Sequence, residues 1–253
     1  MRQIQLRQVA AWLLAAAPFV VGMPARAEAD GESICTVGRS QSPIAIDTRS
    51  ALPSQLQTPV PNYHPSGVVA WSKKGEKYDT LYELFAVSEG APGPGDNTLQ
   101  VDGVTFRLIE LHFHRPGEHP IDGRAPAMEL HLVHSDASGN LAVLAVPIEV
   151  AEWAADDPAI AQLWRSLPQA GDERRLLPEL FDPSGLLPTS RVAYRYPGSL
   201  TTGTCSENVR WTVFAERLVI SKGQEAEYLK YFSRANSRTP QAANGRVPLR
   251  STP

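Results

Sequence analysis

The segment His112-Phe113-His114 pairs two imidazoles one residue apart. On a β-strand successive side chains point to opposite faces, so His112 and His114 share a face. Two imidazoles so placed can grip one metal ion. His131 follows 17 residues after His114, in Met128-Glu129-Leu130-His131-Leu132-Val133-His134. A hairpin brings that second strand alongside the first. Three neutral imidazoles with one open position form a zinc arrangement suited to catalysis. There the ion lowers the pKa of water to about 7 and makes hydroxide at neutral pH. Glu110 stands two residues before His112 and Glu129 two before His131, each on its histidine's face. Ligand histidines pass their second N–H to such carboxylates, which fixes tautomer and ring orientation. The plainer reading of both glutamates is solvation on a polar sheet face.

Side chains held this way need a sheet under them. Leu99 to His114, Ala127 to His134, Leu141 to Val150 and Val209 to Ile220 alternate or run apolar with β-branched residues. They predict one large, mostly antiparallel sheet. Asp157-Pro158 offers an N-cap and a first-turn proline for a short helix through Leu163 and Trp164. Gln224 to Phe232 is a second helix, and Asp172 to Phe181 holds a helical turn. Ser88 to Asn97 is loop, and the tail from Ala235 wraps over the surface. The fold class is α+β, mainly β, in a single domain with short peripheral helices.

Residues 1–27 read as a secretory signal. Arg2 and Arg7 precede an apolar run from Val9 to Gly22, then Ala25-Arg26-Ala27. Cleavage falls after Ala27 or, with the overlapping motif, after Ala29. The run is short for a membrane span, so the mature domain, 28–253, is expected in the periplasm or secreted, without stable membrane insertion. Cleavage after Ala27 takes the formal charge from −3 to −6. A nucleic-acid partner needs clustered positive charge and is not expected. In an oxidising compartment Cys35 and Cys205 are expected to bridge; two separate buried thiols are the alternative.

From Cys35 to Arg246 the chain resembles an alpha-class carbonic anhydrase. Three segments carry most of the likeness: Leu111-His112-Phe113-His114, Glu129-Leu130-His131-Leu132-Val133-His134 and Tyr196-Pro197-Gly198-Ser199-Leu200-Thr201-Thr202. Gln41-Ser42-Pro43-Ile44-Ala45-Ile46, Gly117-Glu118-His119, Leu141-Ala142-Val143-Leu144 and Val209-Arg210-Trp211 add to it. Asn236-Ser237-Arg238 and Asn244-Gly245-Arg246 match more loosely. The resemblance implies a twisted central sheet of about ten strands and a zinc ion on His112, His114 and His131. It implies reversible hydration of carbon dioxide by a monomer or homodimer acting on a small molecule. Thr201 would accept a hydrogen bond from the reactive hydroxide while its own proton goes to Glu118. Thr202 would help orient bicarbonate. Val133, Val143, Leu200, Val209 and Trp211 would form a dry wall for an uncharged substrate. His119 and His134 match structural histidines. The competing reading is a zinc-bearing relative with weak or no activity that acts as a binding protein.

The chain departs from that pattern in four places. Glu110 replaces a usual glutamine, and its charge should raise the pKa of metal-bound water. No shuttle histidine is evident; Lys74-Gly75-Glu76 is the loose counterpart of its segment, and His64 is a poor substitute. The aromatic N-terminal segment is missing. Gly203-Thr204 stands where two prolines are common, which loosens the loop carrying Thr201.

Overall fold

The computed structural model of the chain describes residues 33–65, 68–74, 80–86, 97–167, 174–177 and 179–252. The predicted export segment, Gly75-Glu76 and residues 88–96 lie outside them.

Thirteen strands form one sheet among the described residues. They are β1 (Leu52–Gln57), β2 (Val60–Asn62), β3 (Val68–Lys74), β4 (Thr80–Ala86), β5 (Thr98–Val101), β6 (Val104–His114) and β7 (Met128–Ser135). The rest are β8 (Leu141–Ala151), β9 (Arg174–Leu176), β10 (Ala193–Ser199), β11 (Glu207–Phe214), β12 (Leu218–Ser221) and β13 (Leu249–Thr252). Ten lie on one hydrogen-bonded path, β1-β13-β10-β11-β8-β7-β6-β4-β3-β9. Nine of the twelve pairings are antiparallel, and β1 with β13, β8 with β11 and β8 with β12 are parallel. The mostly antiparallel sheet of about ten strands is therefore what forms. No helix of the described residues is long and apolar enough to cross a membrane.

Two long runs break where turn chemistry outweighs apolar pattern. Leu99 to His114 splits at Asp102-Gly103, both at positive φ (50° and 80°), into the hairpin of β5 and β6. Asp-Gly between apolar residues is the local signal for such a turn. Val209 to Ile220 splits into β11 and β12, and β12 returns to pair with β8.

Both short helices form, alongside α1 (Ile34–Val37). In α2 (Pro158–Trp164) the Asp157 side chain accepts from the Ile160 N–H at 2.9 Å. Helix α3 (Lys222–Tyr231) starts two residues earlier than expected, because Ser221 and Gln224 make a capping box. The helical turn expected in Asp172 to Phe181 is absent from the described residues there. Arg174–Leu176 pairs with β3 instead, and a 3₁₀ turn comes later, at Pro183–Leu186 under an Asp182 cap. The tail from Ala235 does more than cover the surface, since β13 joins β1 to β10 and Ser251 is buried.

The centre of the sheet is buried on both sides. Leu111, Phe113, Leu130, Leu132, Leu144 and Val146 face the main core with Phe106, Trp164 and Tyr228. Val133, Val143, Tyr196, Val209 and Trp211 form a second apolar cluster on the other face. A β-bulge decides which β6 residues go where. Leu108 pairs with His134 but Glu110 with Val133, so β6 carries one extra residue at Ile109. The extra residue reverses the alternation. Phe106 and Leu108 then share the core face with Leu111 and Phe113, and Glu110, His112 and His114 take the other.

Candidate metal centre

The three predicted ligand histidines meet on that second face. His112 pairs directly with His131 across β6 and β7. Their ring centroids lie 5.1 Å apart, with 4.9 Å from His112 to His114 and 4.6 Å from His114 to His131. All three residues are buried, and each offers a nitrogen within 4.8 Å of the others.

The second ring nitrogens of His114 and His131 are engaged elsewhere, which orients the first, and that of His112 lies beside a carboxylate. His131 Nε2 lies 2.7 Å from Glu129 Oε1, and His112 Nδ1 lies 3.1 Å from Glu110 Oε1. His114 Nδ1 lies 3.1 Å from the Asn236 carbonyl oxygen. The acceptors on His131 and His114 call for an N–H, which leaves Nδ1 of His131 and Nε2 of His114 as lone pairs; the Glu110 carboxylate beside His112 Nδ1 favours the tautomer with its lone pair on Nε2. Burial depresses the pKa of both His114 and His131, and the neighbouring imidazoles add to the effect. Neutral imidazoles are the form a metal binds.

The donor set fits a small divalent cation. His131 Nδ1 and His112 Nε2 face each other at 3.3 Å. Two nitrogens on one tetrahedral zinc ion sit about 3.3 Å apart. The buried His114 Nε2 has no hydrogen-bond partner. Three converging lone pairs repel unless a cation lies among them, and imidazole is a good zinc donor.

His119, Glu129 and His131 form a second close group, whose contacts are those of a hydrogen-bond network. Glu129 accepts from His119 Nδ1 at 2.6 Å, His131 Nε2 at 2.7 Å, and the N–H groups of Glu118 and His119 at 3.1 and 2.9 Å. Burial alone pushes its carboxyl up. The His119 charge and the bonds from His119 and His131 outweigh that and hold it well below the usual carboxylate range. His119 Nε2 continues to Tyr196 Oη at 2.7 Å, and Tyr196 to Ser42 Oγ at 3.0 Å. His134 sits on the core face. Burial takes its pKa to about 3, and its Nε2 lies 2.6 Å from Tyr63 Oη.

A cavity of about 570 Å³ opens over the imidazoles. Val133, Val143, Leu200, Thr201, Thr202 and Trp211 line it with His112 and His131. Val209, expected in the wall, is buried in the same apolar cluster as Val133, Val143 and Trp211. Glu110, Ile109, Leu141, Gly203 and Thr204 also line it. Ile109 reaches the cavity because it is the bulge residue.

Thr201 rides on the loop between β10 and β11, which long-range contacts hold. Ser42 and Ser199 exchange bonds, Ser42 N to Ser199 Oγ at 2.8 Å and Ser199 N to Ser42 Oγ at 3.0 Å. The Trp211 indole N–H donates to the Ser199 carbonyl at 2.9 Å. A Cβ on Gly198 would lie 2.0 Å from Ser42 Oγ, so glycine is required there. The expected Cys35–Cys205 disulfide is formed, with Cα atoms 5.1 Å apart, and ties this loop to α1. Glu118 is buried beneath the histidines. Its Oε1 accepts the Arg238 N–H at 2.7 Å, and its Oε2 has no hydrogen-bond partner.

Sequence reasoning missed Asn236 as the acceptor for His114. Asn236 lies 122 residues away and acts through its main chain, so no side-chain pattern marks it. His119 was read as structural, but its bond to the carboxylate that holds His131 was not foreseen.

The sequence profile described as eukaryotic-type carbonic anhydrase matches residues 27–251. A carbonic anhydrase of Pectobacterium carotovorum is 35% identical over 215 residues, covering 85% of this chain and 81% of that protein. One from Klebsiella pneumoniae is 32% identical over the same shares. The alpha-carbonic anhydrase of Thermovibrio ammonificans, solved with the inhibitor sulfanilamide, superposes with a TM-score of 0.75 at 34% identity, covering 85% of this chain and 89% of that one.

Proposed function

The chain belongs to the eukaryotic-type, or alpha, carbonic anhydrase family, and from that premise we propose that it hydrates carbon dioxide reversibly to bicarbonate and a proton, using zinc held by His112, His114 and His131. The observation that carries this is the convergence of three buried imidazole lone pairs under a largely apolar cavity. Zinc bound there supplies Lewis-acid chemistry, making hydroxide available from water near pH 7.

The chain's own residues do the rest. Glu110, Asn236 and Glu129 hold the three rings in their ligating tautomers. Val133, Val143, Leu200 and Trp211 receive carbon dioxide, which is uncharged and needs a dry wall. The Thr201 hydroxyl donates its hydrogen to Glu118, whose Oε2 is an open buried acceptor. Thr201 Oγ1 is then left to accept, so it favours a nucleophile that still carries a hydrogen. Thr202, beside it, orients the product.

Stopped-flow hydration measured together with zinc content tests this. The expected result is turnover that disappears with chelation and returns with zinc. Zinc-loaded protein hydrating carbon dioxide no faster than buffer would instead favour a binding protein. With no evident shuttle histidine, imidazole buffers should accelerate turnover. Export to the periplasm or medium is part of the same reading. The Cys35–Cys205 pairing supports it, because disulfides persist in such compartments. A mature N-terminus after Ala27 or Ala29, read by mass spectrometry, checks the processing of residues 1–27.

A further inference from the structure

A second cavity, of about 510 Å³, lies where β10, β11 and β13 meet the β5–β6 hairpin, and Asp102, Arg195, Pro197, Arg210, Arg246 and Leu249 line it. Register explains the grouping. Pro197 pairs with Arg210 and Arg195 with Leu249, so all four share a sheet face. Arg195 and Arg210 become diagonal neighbours on adjacent strands, close enough to repel.

The three guanidinium groups are held in different ways. Arg195 has a side chain only 9% exposed, and its Nη2 lies 2.6 Å from Oδ2 of Asp102, which is 42% exposed. Arg246 donates to neutral carbonyls, those of Pro197, Gln41, Ala242 and Ala243, at 2.7–3.0 Å. Glu207, the acid whose field reaches Arg246, uses its Oε1 on the Ser40 N–H and the Gln41 amide. Arg210 lies 5.4 Å over the Phe106 ring and has no hydrogen-bond acceptor among the described residues. Asp102 is thus the carboxylate at hydrogen-bond distance in this cavity, while Asp136 acts on Arg210 and Glu207 on Arg246 through their fields. Pro197, Val247 and Leu249 give the same cavity an apolar side.

We propose that this cavity binds a small organic oxyanion, a carboxylate or phosphate head on an apolar body. The head sits between Arg210 and Arg195, where planar donors suit an oxyanion. The body lies against Pro197 and Leu249. The volume is in the range of small-molecule sites, too small for a folded partner. The proposal does not depend on zinc or on the reaction at the other cavity.

Benzoate and phenyl phosphate are the probes, with benzyl alcohol as the uncharged control. The readout is the side-chain N–H signals of Arg195 and Arg210 in nitrogen-15 spectra, backed by calorimetry. Either anion should shift both signals saturably, and the stronger one identifies the head group. Arg210→Gln should weaken binding about tenfold, the worth of one charged hydrogen bond. Every other anion site stays unchanged in that variant, so the difference reads this cavity. Asp102→Asn should tighten binding, because it removes the competing carboxylate; a residue that merely pins the hairpin would not do so. The proposal is overturned if neither anion moves the arginine signals. It is also overturned if Arg210→Gln binds as the unaltered protein does, or if folded Asp102→Asn binds no tighter.

Discussion

Strands β6 and β7 supply the imidazoles from the middle of the sheet, and the loop after β10 supplies Thr201 from its end. Each imidazole has its own partner, a hydrogen-bond acceptor for His114 and His131 and a neighbouring carboxylate for His112, and two of the three partners stand two residues from their ring. Thr201 has no comparable local partner. Its loop is placed by Ser42, by Gln41 donating to the Cys205 carbonyl at 3.1 Å, and by the disulfide to Cys35. Those residues are about 160 or more positions away in sequence. The triad that could hold a metal is therefore built into short sequence, whereas the placing of Thr201, the proposed aligning group, depends on the closed fold. Damage to one region should be separable from damage to the other.

The largest effect falls on the strand side. His131→Ala leaves two imidazoles and takes one of four N–H donors from Glu129, and should lose zinc and hydration activity together. Metal analysis beside stopped-flow rates checks it. Retained zinc would show that the ligands are not the three named.

Opening the disulfide strikes the loop side. Cys35 and Cys205 are separated by 170 residues, and closing so long a loop contributes about 5 kcal/mol in the chain-entropy model, less if the reduced chain keeps structure. Cys35→Ser with Cys205→Ser should lower unfolding stability by up to about that amount in urea titrations. Zinc content should be unchanged at temperatures where the protein stays folded. If zinc is lost while the fold persists, the two regions are one unit and the contrast fails.

Thr201→Ala is the finer cut. It removes one aligning hydroxyl from a folded, metal-competent protein. A single such group is commonly worth about 10²-fold in rate, so kcat/KM should fall by about that factor with zinc affinity intact. A loss below about threefold would remove Thr201 from the reaction. Glu118→Gln should reproduce most of the Thr201→Ala deficit if the hydroxyl proton goes to Oε2.

What could be read in advance follows the same division. The convergence of the three histidines and their two neighbouring carboxylates was legible because strand alternation is a local rule, and Glu129 with His131 obeys it directly. For β6 the rule worked only within the last turns of the pleat. The bulge at Ile109 reverses the alternation upstream, and its trace in the sequence is the three-residue step from Leu108 to Leu111 between core positions otherwise two apart. Asp102-Gly103 was a readable turn signal that long apolar runs on both sides concealed. The Asn236 carbonyl and the return of β13 between β1 and β10 were not legible, since both arise from closure of the chain ends onto the sheet.

The smallest predicted effect sharpens the strand side itself, where two carboxylates do unlike work. Glu129 is fully buried and holds four N–H donors, so it cannot be changed without unmaking the network around His119. Glu110 is 17% exposed at the cavity wall and touches His112 alone among the ligands. Glu110→Gln keeps an oxygen beside His112 Nδ1 but removes the charge. His112 then becomes a weaker donor, and zinc affinity should fall about tenfold, the low end for an orienting partner. Chelator competition measures that. The lost negative charge had opposed hydroxide formation at the metal, so its removal should move the midpoint of the pH–rate profile downward. The sign is what matters. An unchanged or higher midpoint would mean that Glu110 only orients His112, and that its charge is neutralised by the water in the cavity it faces.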